Sequence, residues 1–164
     1  AGLYADRFRR LAIGAPLLTE TEDYLAVARA LLHRLPPRRE DTALVYMGHG
    51  SEHYANAVYA LLEYVLHDLG RSDVRIGTVE GYPGFEEIRR RLAEASGVTQ
   101  VVLLPLMVVA GDHAKNDLAG GEEDSWRRRL EALGYQVSCV LEGLGENPEI
   151  RAIFTAHAKS ALGR

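Results

Sequence analysis

Val101–His113 reads VVLLPLMVVAGDH. From Gln100 to Val109 the run is apolar almost throughout, the pattern of a strand buried on both faces of a parallel sheet. Working outward, TALVYM at Thr42–Met47, VRIGTV at Val74–Val79 and QVSCVL at Gln136–Leu141 are further β-rich runs. Helical spacing fills the intervals between them. Glu52–Leu69 places Tyr54, Val58, Leu61, Val65 and Leu69 on one face and stops at Gly70. Gly84–Ala95 carries Phe85, Ile88 and Leu92, and Glu122–Leu133 carries Trp126, Leu130 and Leu133. Asn147 and Pro148 read as the cap and first turn of a last helix, whose apolar stripe is Ile150, Ile153, Phe154, His157 and Ala161. An earlier helix begins at a Thr19–Glu22 capping box and presents Tyr24, Val27, Ala28, Leu31 and Leu35. Pro36 and Pro37 end it. Strand and helix alternating with short connections predict a three-layer α/β/α domain on a four-stranded parallel sheet with right-handed crossovers.

The length of 164 residues suffices for one domain with a real core. A net charge of −4 and the lack of a basic stripe argue against a nucleic-acid binder. The arginine clusters at Arg7–Arg10, Arg89–Arg91 and Arg127–Arg129 read as solvated faces. Cys139 is the one cysteine, so neither an internal disulfide nor a thiolate metal cluster can form within the chain. It sits in an apolar run and reads as an inert core thiol. No apolar stretch has the length of a membrane span.

Three chemistry-bearing residues stand where predicted strands stop: His49 after ALVYMG, Glu80 after VRIGTV, and His113 at the end of the most apolar strand. Parallel α/β sheets place functional groups at the carboxyl ends of their strands. Two imidazoles and a carboxylate suit a borderline divalent ion such as Co²⁺, Fe²⁺, Ni²⁺ or Zn²⁺. Gly48-His49-Gly50-Ser51 lacks the pattern of a phosphate loop or a nucleophile elbow. The bland alternative for His49 is a cap on the following helix. His53 either supplements the site or lies on the surface. His33 and His67 read as surface residues and His157 as a half-buried packing residue. Gly81-Tyr82-Pro83-Gly84 is a turn that fixes the direction of Glu80. Asp112 is placed to orient an imidazole, while Asn116 and Asp117 read as caps of the next turn. The loop through Gly120 and Gly121 to Asp124 has the length and glycine content of a lid. Glu142-Gly143 echoes Glu80-Gly81 and suggests that Glu142 also faces the cleft.

ALVYMGHGSEHYAN at Ala43–Asn56, VEGYP at Val79–Pro83, LLPLMVVAGDHAKNDLAG at Leu103–Gly120 and EGLGENP at Glu142–Pro148 together resemble the anaerobic, ATP-independent cobalt chelatases of the cobalamin pathway. These act on sirohydrochlorin or its precorrin-2 relative and belong with ferrochelatase to the type II chelatases. The resemblance runs from about Leu11 to the C-terminus. It implies a ferrochelatase-like half-fold, with His49, Glu80 and His113 as metal-handling and catalytic residues. The residues expected to line the substrate are Gly50, Ser51, Tyr82, Leu106, Met107, Lys115 and Glu142. The metal expected is Co²⁺, with Fe²⁺ or Ni²⁺ as alternatives.

Family members commonly have two similar α/β halves. On that pattern residues 1–18 are expected to be the tail of an N-terminal half, residues 19–41 a connecting helix and linker, and residues 42–164 the C-terminal chelatase-like domain. Leu11–Leu17 reads as a short strand lacking a partner. The expected partners are a tetrapyrrole and either the other half or a second subunit. The cytoplasm is the expected location, and the periplasm is the alternative because the sequence opens without Met. A metal or tetrapyrrole carrier is the competing function. A metal-free hydrolase ranks last, because no convincing nucleophile accompanies the His/Glu pair.

Overall fold

Four parallel strands form one sheet in the order β2-β1-β3-β4: β1 (Thr42–Gly50), β2 (Val74–Glu80), β3 (Gln100–Leu106) and β4 (Gln136–Cys139). The structure is a computed structural model and describes residues 11–163. Helices α1 (Thr21–Leu32), α2 (Ala57–Asp68), α3 (Phe85–Ala93), α4 (Trp126–Ala132) and α5 (Pro148–Ala161) cover the sheet. The alternating side chains of β1 divide the core. Leu44 and Tyr46 pack with α1, α2 and α5, while Ala43, Val45 and Met47 pack with α3 and α4. Each layer of helices therefore buries one face of the sheet, as the three-layer prediction requires.

The strand order also fixes where a site belongs. The β1–β2 connection steps to one side through α2, and the β3–β4 connection steps to the other through α4. The order reverses between β1 and β3, and a crevice opens at the carboxyl ends of two strands that diverge in this way. His49 lies on β1 and His113 follows β3.

Several local readings shift. Residues 11–16 form no strand. Leu17 and Leu18 instead pack on the core beside α1 and α5, and Ile13 stays 77% exposed. The cap of α1 lies one residue later than the Thr19–Glu22 box. The Asp23 carboxylate accepts the N–H groups of Thr19 at 3.0 Å and Glu20 at 2.9 Å. A 3-10 turn at Tyr54–Asn56 precedes α2 and resets its phase. Leu62 and Leu66 are consequently buried, while Tyr54 and Leu61 face outward. Leu133 also lies outside the core, as the residue that caps short α4. β3 stops at Leu106 because Val108 and Val109 turn outward.

β2 is an edge strand, and the outward N–H groups of Val74, Ile76 and Thr78 are used within the chain. Val74 donates to the Arg71 carbonyl at 3.1 Å and Thr78 to the Pro83 carbonyl at 2.8 Å. Ile76 donates to buried Glu63 at 2.6 Å. Arg91 in turn pairs with Glu63. His67, expected on the surface, is half-buried and reaches the Val74 carbonyl at 2.7 Å. His33 is exposed as expected and pairs with Glu149 at 3.0 Å.

His157 is half-buried but is held by polar contacts. Its Nε2 lies 2.9 Å from Asp23 and its Nδ1 lies 3.2 Å from the Ala15 carbonyl oxygen. Burial alone would push the Asp23 carboxyl up. The N–H groups of Glu20 and Thr19 and the contact with His157 outweigh it and hold the carboxyl below its ordinary value. A carboxyl depressed by folding contributes stability above its unfolded pKa and loses it as pH falls through the folded value. Urea midpoints should therefore drop more between about pH 5 and about pH 3 in the wild-type chain than in Asp23→Asn. Equal slopes would remove Asp23 as a source of acid sensitivity.

Candidate functional site

The end of β1 is shaped by two glycines. A Cβ on Gly48 would fall 2.2 Å from the Tyr59 ring, whose hydroxyl receives the Gly50 N–H at 3.3 Å. Gly50 has φ +81°, the left-handed region that glycine adopts without steric cost, and a Cβ there would lie 1.8 Å from the Glu80 carbonyl oxygen. Gly50 pairs with Glu80 in the β1–β2 register. The two strand ends are thus pressed together, and His49 emerges between two residues with no side chain to cover it. Its side chain is half exposed.

His49 Nδ1 lies 3.1 Å from the Gly50 carbonyl oxygen and 4.0 Å from Glu80 Oε2. The His113 ring stands at right angles to the His49 ring, with centroids 4.8 Å apart. The three strand-end residues therefore share one place at the carboxyl edge. They do not form a ready ligand cage, since among the described residues no three His, Cys, Asp or Glu side chains stand in ion-sharing geometry. Local contacts account for this: His49 rests against its neighbouring carbonyl, and His113 Nδ1 pairs with Asp117.

Beside His49 opens a cavity of about 520 Å³ with a mostly apolar lining that includes Leu17, Val58, Tyr59, Leu106, Met107, Val108 and Phe154. Leu106 and Met107 thus reach the space next to His49, as expected. Gly50 and Ser51 form the exit of β1. Tyr82 projects from the β2 turn, 71% exposed. Lys115 is exposed on the π-helical turn Ala114–Leu118 that follows His113. Glu142 is not brought to His49. Arg34, just past the end of α1, captures its carboxylate at a separate cavity of about 290 Å³. His53 also serves elsewhere: its Nδ1 accepts the Ala55 N–H at 3.2 Å, and its ring packs on Tyr54. The capping role considered for His49 falls to His53.

The sequence reading passed over one residue and gave another a different role. Asn56 ties the exits of β1 and β2 together. Its Oδ1 accepts the Ser51 N–H at 2.9 Å, and its Nδ2 donates to the Tyr82 carbonyl at 2.6 Å. No local pattern reveals such a bridge, because its two ends are far apart in the sequence. Asn56→Ala should lower stability by about 1–3 kcal/mol through the two lost bonds, read as a shift of the urea midpoint. An unchanged midpoint would show that the bridge carries nothing. The second residue is Asp117, which pairs with His113 in place of the expected Asp112. The four-residue spacing on a helical turn was the available signal. Asp112 is exposed and makes no side-chain hydrogen bond or ion pair among the described residues.

A family model described as Cobalt chelatase (CbiK) matches residues 2–163. Over 155 residues the chain is 45% identical to the sirohydrochlorin cobaltochelatase of Salmonella typhimurium (strain LT2), covering 94% of this chain and 58% of that protein. Over 158 residues it is 38% identical to the sirohydrochlorin cobaltochelatase CbiKC of Nitratidesulfovibrio vulgaris (strain Hildenborough), covering 96% and 55%. The chain thus spans a little over half the length of these curated relatives. A solved cobalamin (vitamin B12) biosynthesis CbiX protein of Marinobacter aquaeolei VT8 superposes with TM-score 0.55 at 25% identity, over 75% of this chain and 98% of that one. SirB of Bacillus subtilis, solved with Fe³⁺, superposes with TM-score 0.61 at 18% identity, over 96% and 61%, and shares the fold. Sequence and architecture agree, and the chain belongs to the cobalt chelatase family.

Proposed function

We propose that this chain supplies the metal-handling wall of a sirohydrochlorin cobaltochelatase, which inserts Co²⁺ into sirohydrochlorin or precorrin-2 without ATP. The observation that carries the reading is the meeting of His49, Glu80 and His113 at the carboxyl edge of the sheet, beside an apolar cavity. The ion is a substrate and has to be released, so a loosely assembled His₂Glu set suits it better than a closed cage. His49, Glu80 and His113 turn toward the ion when it arrives. As the metal enters the macrocycle, two pyrrole N–H protons leave, and the imidazoles and the Glu80 carboxylate are the bases at hand. Leu106, Met107 and Val108 offer the ring an apolar face. Gly50, Ser51 and Tyr82 border it, and Lys115 answers the substrate's carboxylates.

A flat macrocycle bound in this way needs a second wall, since ligands of this size are buried over most of their surface. Val108, Val109 and Tyr82 are exposed around the site and fit a surface that another α/β unit covers. That unit is either a second half of the same protein or a second subunit. Residues 1–18 are then the approach from that half, and residues 19–41 the link to the chelatase-like domain. The cytoplasm is the proposed location. Among the described residues no helix is long and apolar enough to cross a membrane.

The test mixes the purified chain with excess sirohydrochlorin and Co²⁺ and follows the absorption spectrum. Conversion of many equivalents of tetrapyrrole supports the chelatase. Binding that stops at one equivalent without conversion would make the chain a carrier instead. Parallel arms with Fe²⁺ and Ni²⁺ decide the metal, because two imidazoles and a carboxylate discriminate poorly among these ions.

A further inference from the structure

His113 and Asp117 are placed in register by the π-helical turn Ala114–Leu118. Asp117 points at one ring nitrogen of His113, namely Nδ1. Ala114 and Leu118, each next in sequence to one member of the pair, are completely buried, and Leu118 anchors the turn to the α3–α4 side of the core. The Ala119 N–H closes the turn on the Ala114 carbonyl at 3.2 Å, and the Gly120 N–H closes it on the Asn116 carbonyl at 3.0 Å. A Cβ on Gly120 would collide with the Asn116 carbonyl at 2.2 Å, so the turn is packed tightly behind the pair. His113 and Asp117 themselves stay partly exposed, on the same side as His49.

From this geometry we infer that Asp117 is a positioning residue. It holds His113 in the Nδ1–H form, leaving the Nε2 lone pair bare as the metal donor. A carboxylate can only accept, so a neutral imidazole bonded to it through Nδ1 carries its proton there. In that neutral form the opposite nitrogen is the one left without a proton, and the ring is fixed in direction as well as in tautomer. An imidazole not held in this way divides its proton between the two nitrogens and exposes its lone pair only part of the time. Carboxylate partners of metal-ligating histidines act in this manner, and their loss typically costs 10–100-fold in affinity or activity. Asp112, next to His113 in sequence, has no such role.

The inference rests on the proposed role of His113 for its functional consequence, but not for its structural content, and the experiment separates the two. The long-range ¹H–¹⁵N correlation of the His113 ring is recorded on the whole chain without metal, at about pH 8.5, where an ordinary imidazole is neutral. The wild type should show the Nδ1–H pattern, and Asp117→Ala should shift it toward Nε2–H. Asp117→Asn keeps an acceptor oxygen and should fall between them, and Asp112→Ala should leave the wild-type pattern. A wild-type His113 already in the Nε2–H form, or an unchanged pattern in both Asp117 variants, overturns the inference. The Asn variant is nearly isosteric and decides the point if the Ala variant fails to fold. In the metallation assay Asp117→Ala should raise KM for Co²⁺ about 10–100-fold, with KM for sirohydrochlorin unmoved. A rise confined to the tetrapyrrole KM would also overturn it. If the wild type does not metallate sirohydrochlorin at all, the functional proposal fails, and the spectrum alone still decides the tautomer.

Discussion

His113→Ala is expected to lower cobalt insertion into sirohydrochlorin by at least about 10²-fold, the scale of losing a positioned acid–base group or ligand. The fold should remain intact. The His113 side chain is 43% exposed, pairs with Asp117 and stands at right angles to the His49 ring. Surface replacements of this kind change stability by no more than about 0.5 kcal/mol. His157→Ala makes the opposite comparison. It removes the contacts to Asp23 and Ala15 and should cost stability while leaving turnover within a few-fold of wild type. Paired urea melts and spectroscopic rates on the two variants decide the matter. A folded His157→Ala without activity beside an active His113→Ala would reverse the assignment of these histidines.

Gly50→Ala should be the most damaging glycine-to-alanine replacement among the described residues. The new Cβ would sit 1.8 Å from the Glu80 carbonyl oxygen and 2.6 Å from Thr78 Cβ, in a backbone with φ +81°. No flexible side chain stands there to yield. The strand ends must part or the turn must rebuild, and overpacking with backbone strain costs about 3 kcal/mol or more. The replacement also moves His49 relative to Glu80, so activity should fall further than stability. Gly70→Ala is the matched control. It has φ +91° and a Cβ that meets nothing within 4 Å, so it reports the conformational cost by itself. Equal losses of stability in both variants would mean that contact with Glu80 is unimportant.

The layer architecture was legible because β3 is apolar over its length and each strand is followed by a helical pattern. The three strand-end residues were legible for the same reason, since their place follows from where the apolar runs stop. What escaped was phase and long-range bonding. The 3-10 turn at Tyr54–Asn56 shifts α2 by a fraction of a turn, which exchanges Leu61 for Leu62 as the buried residue. Periodicity alone carries no record of such a turn. The capture of Glu142 by Arg34 and the bridge built by Asn56 join residues distant in sequence, and a motif at either end says nothing of the other. Asp117 escaped for a different reason. Asp112 is adjacent to His113, and adjacency was given more weight than the helical spacing that brings the fourth residue onward to the same side.

The occupied border of β2 governs how this sheet can meet other polypeptides. An exposed edge strand is a template on which an incoming strand can lengthen the ladder, whether in recognition or in aggregation. Here the outward donors of Val74, Ile76 and Thr78 are all satisfied internally. An incoming strand on that flank would find no free donor at Val74, Ile76 or Thr78 and the Val74 carbonyl already engaged by His67 and Arg75, and could not zip along it. Buried Glu63 and half-buried Arg91 add a charge pair just behind the border, and separating that pair to expose the Ile76 N–H would leave the Glu63 charge stranded. Recruitment by strand addition is thereby closed off on the β2 flank, and a neighbouring protein that meets it there has side chains to read rather than main chain.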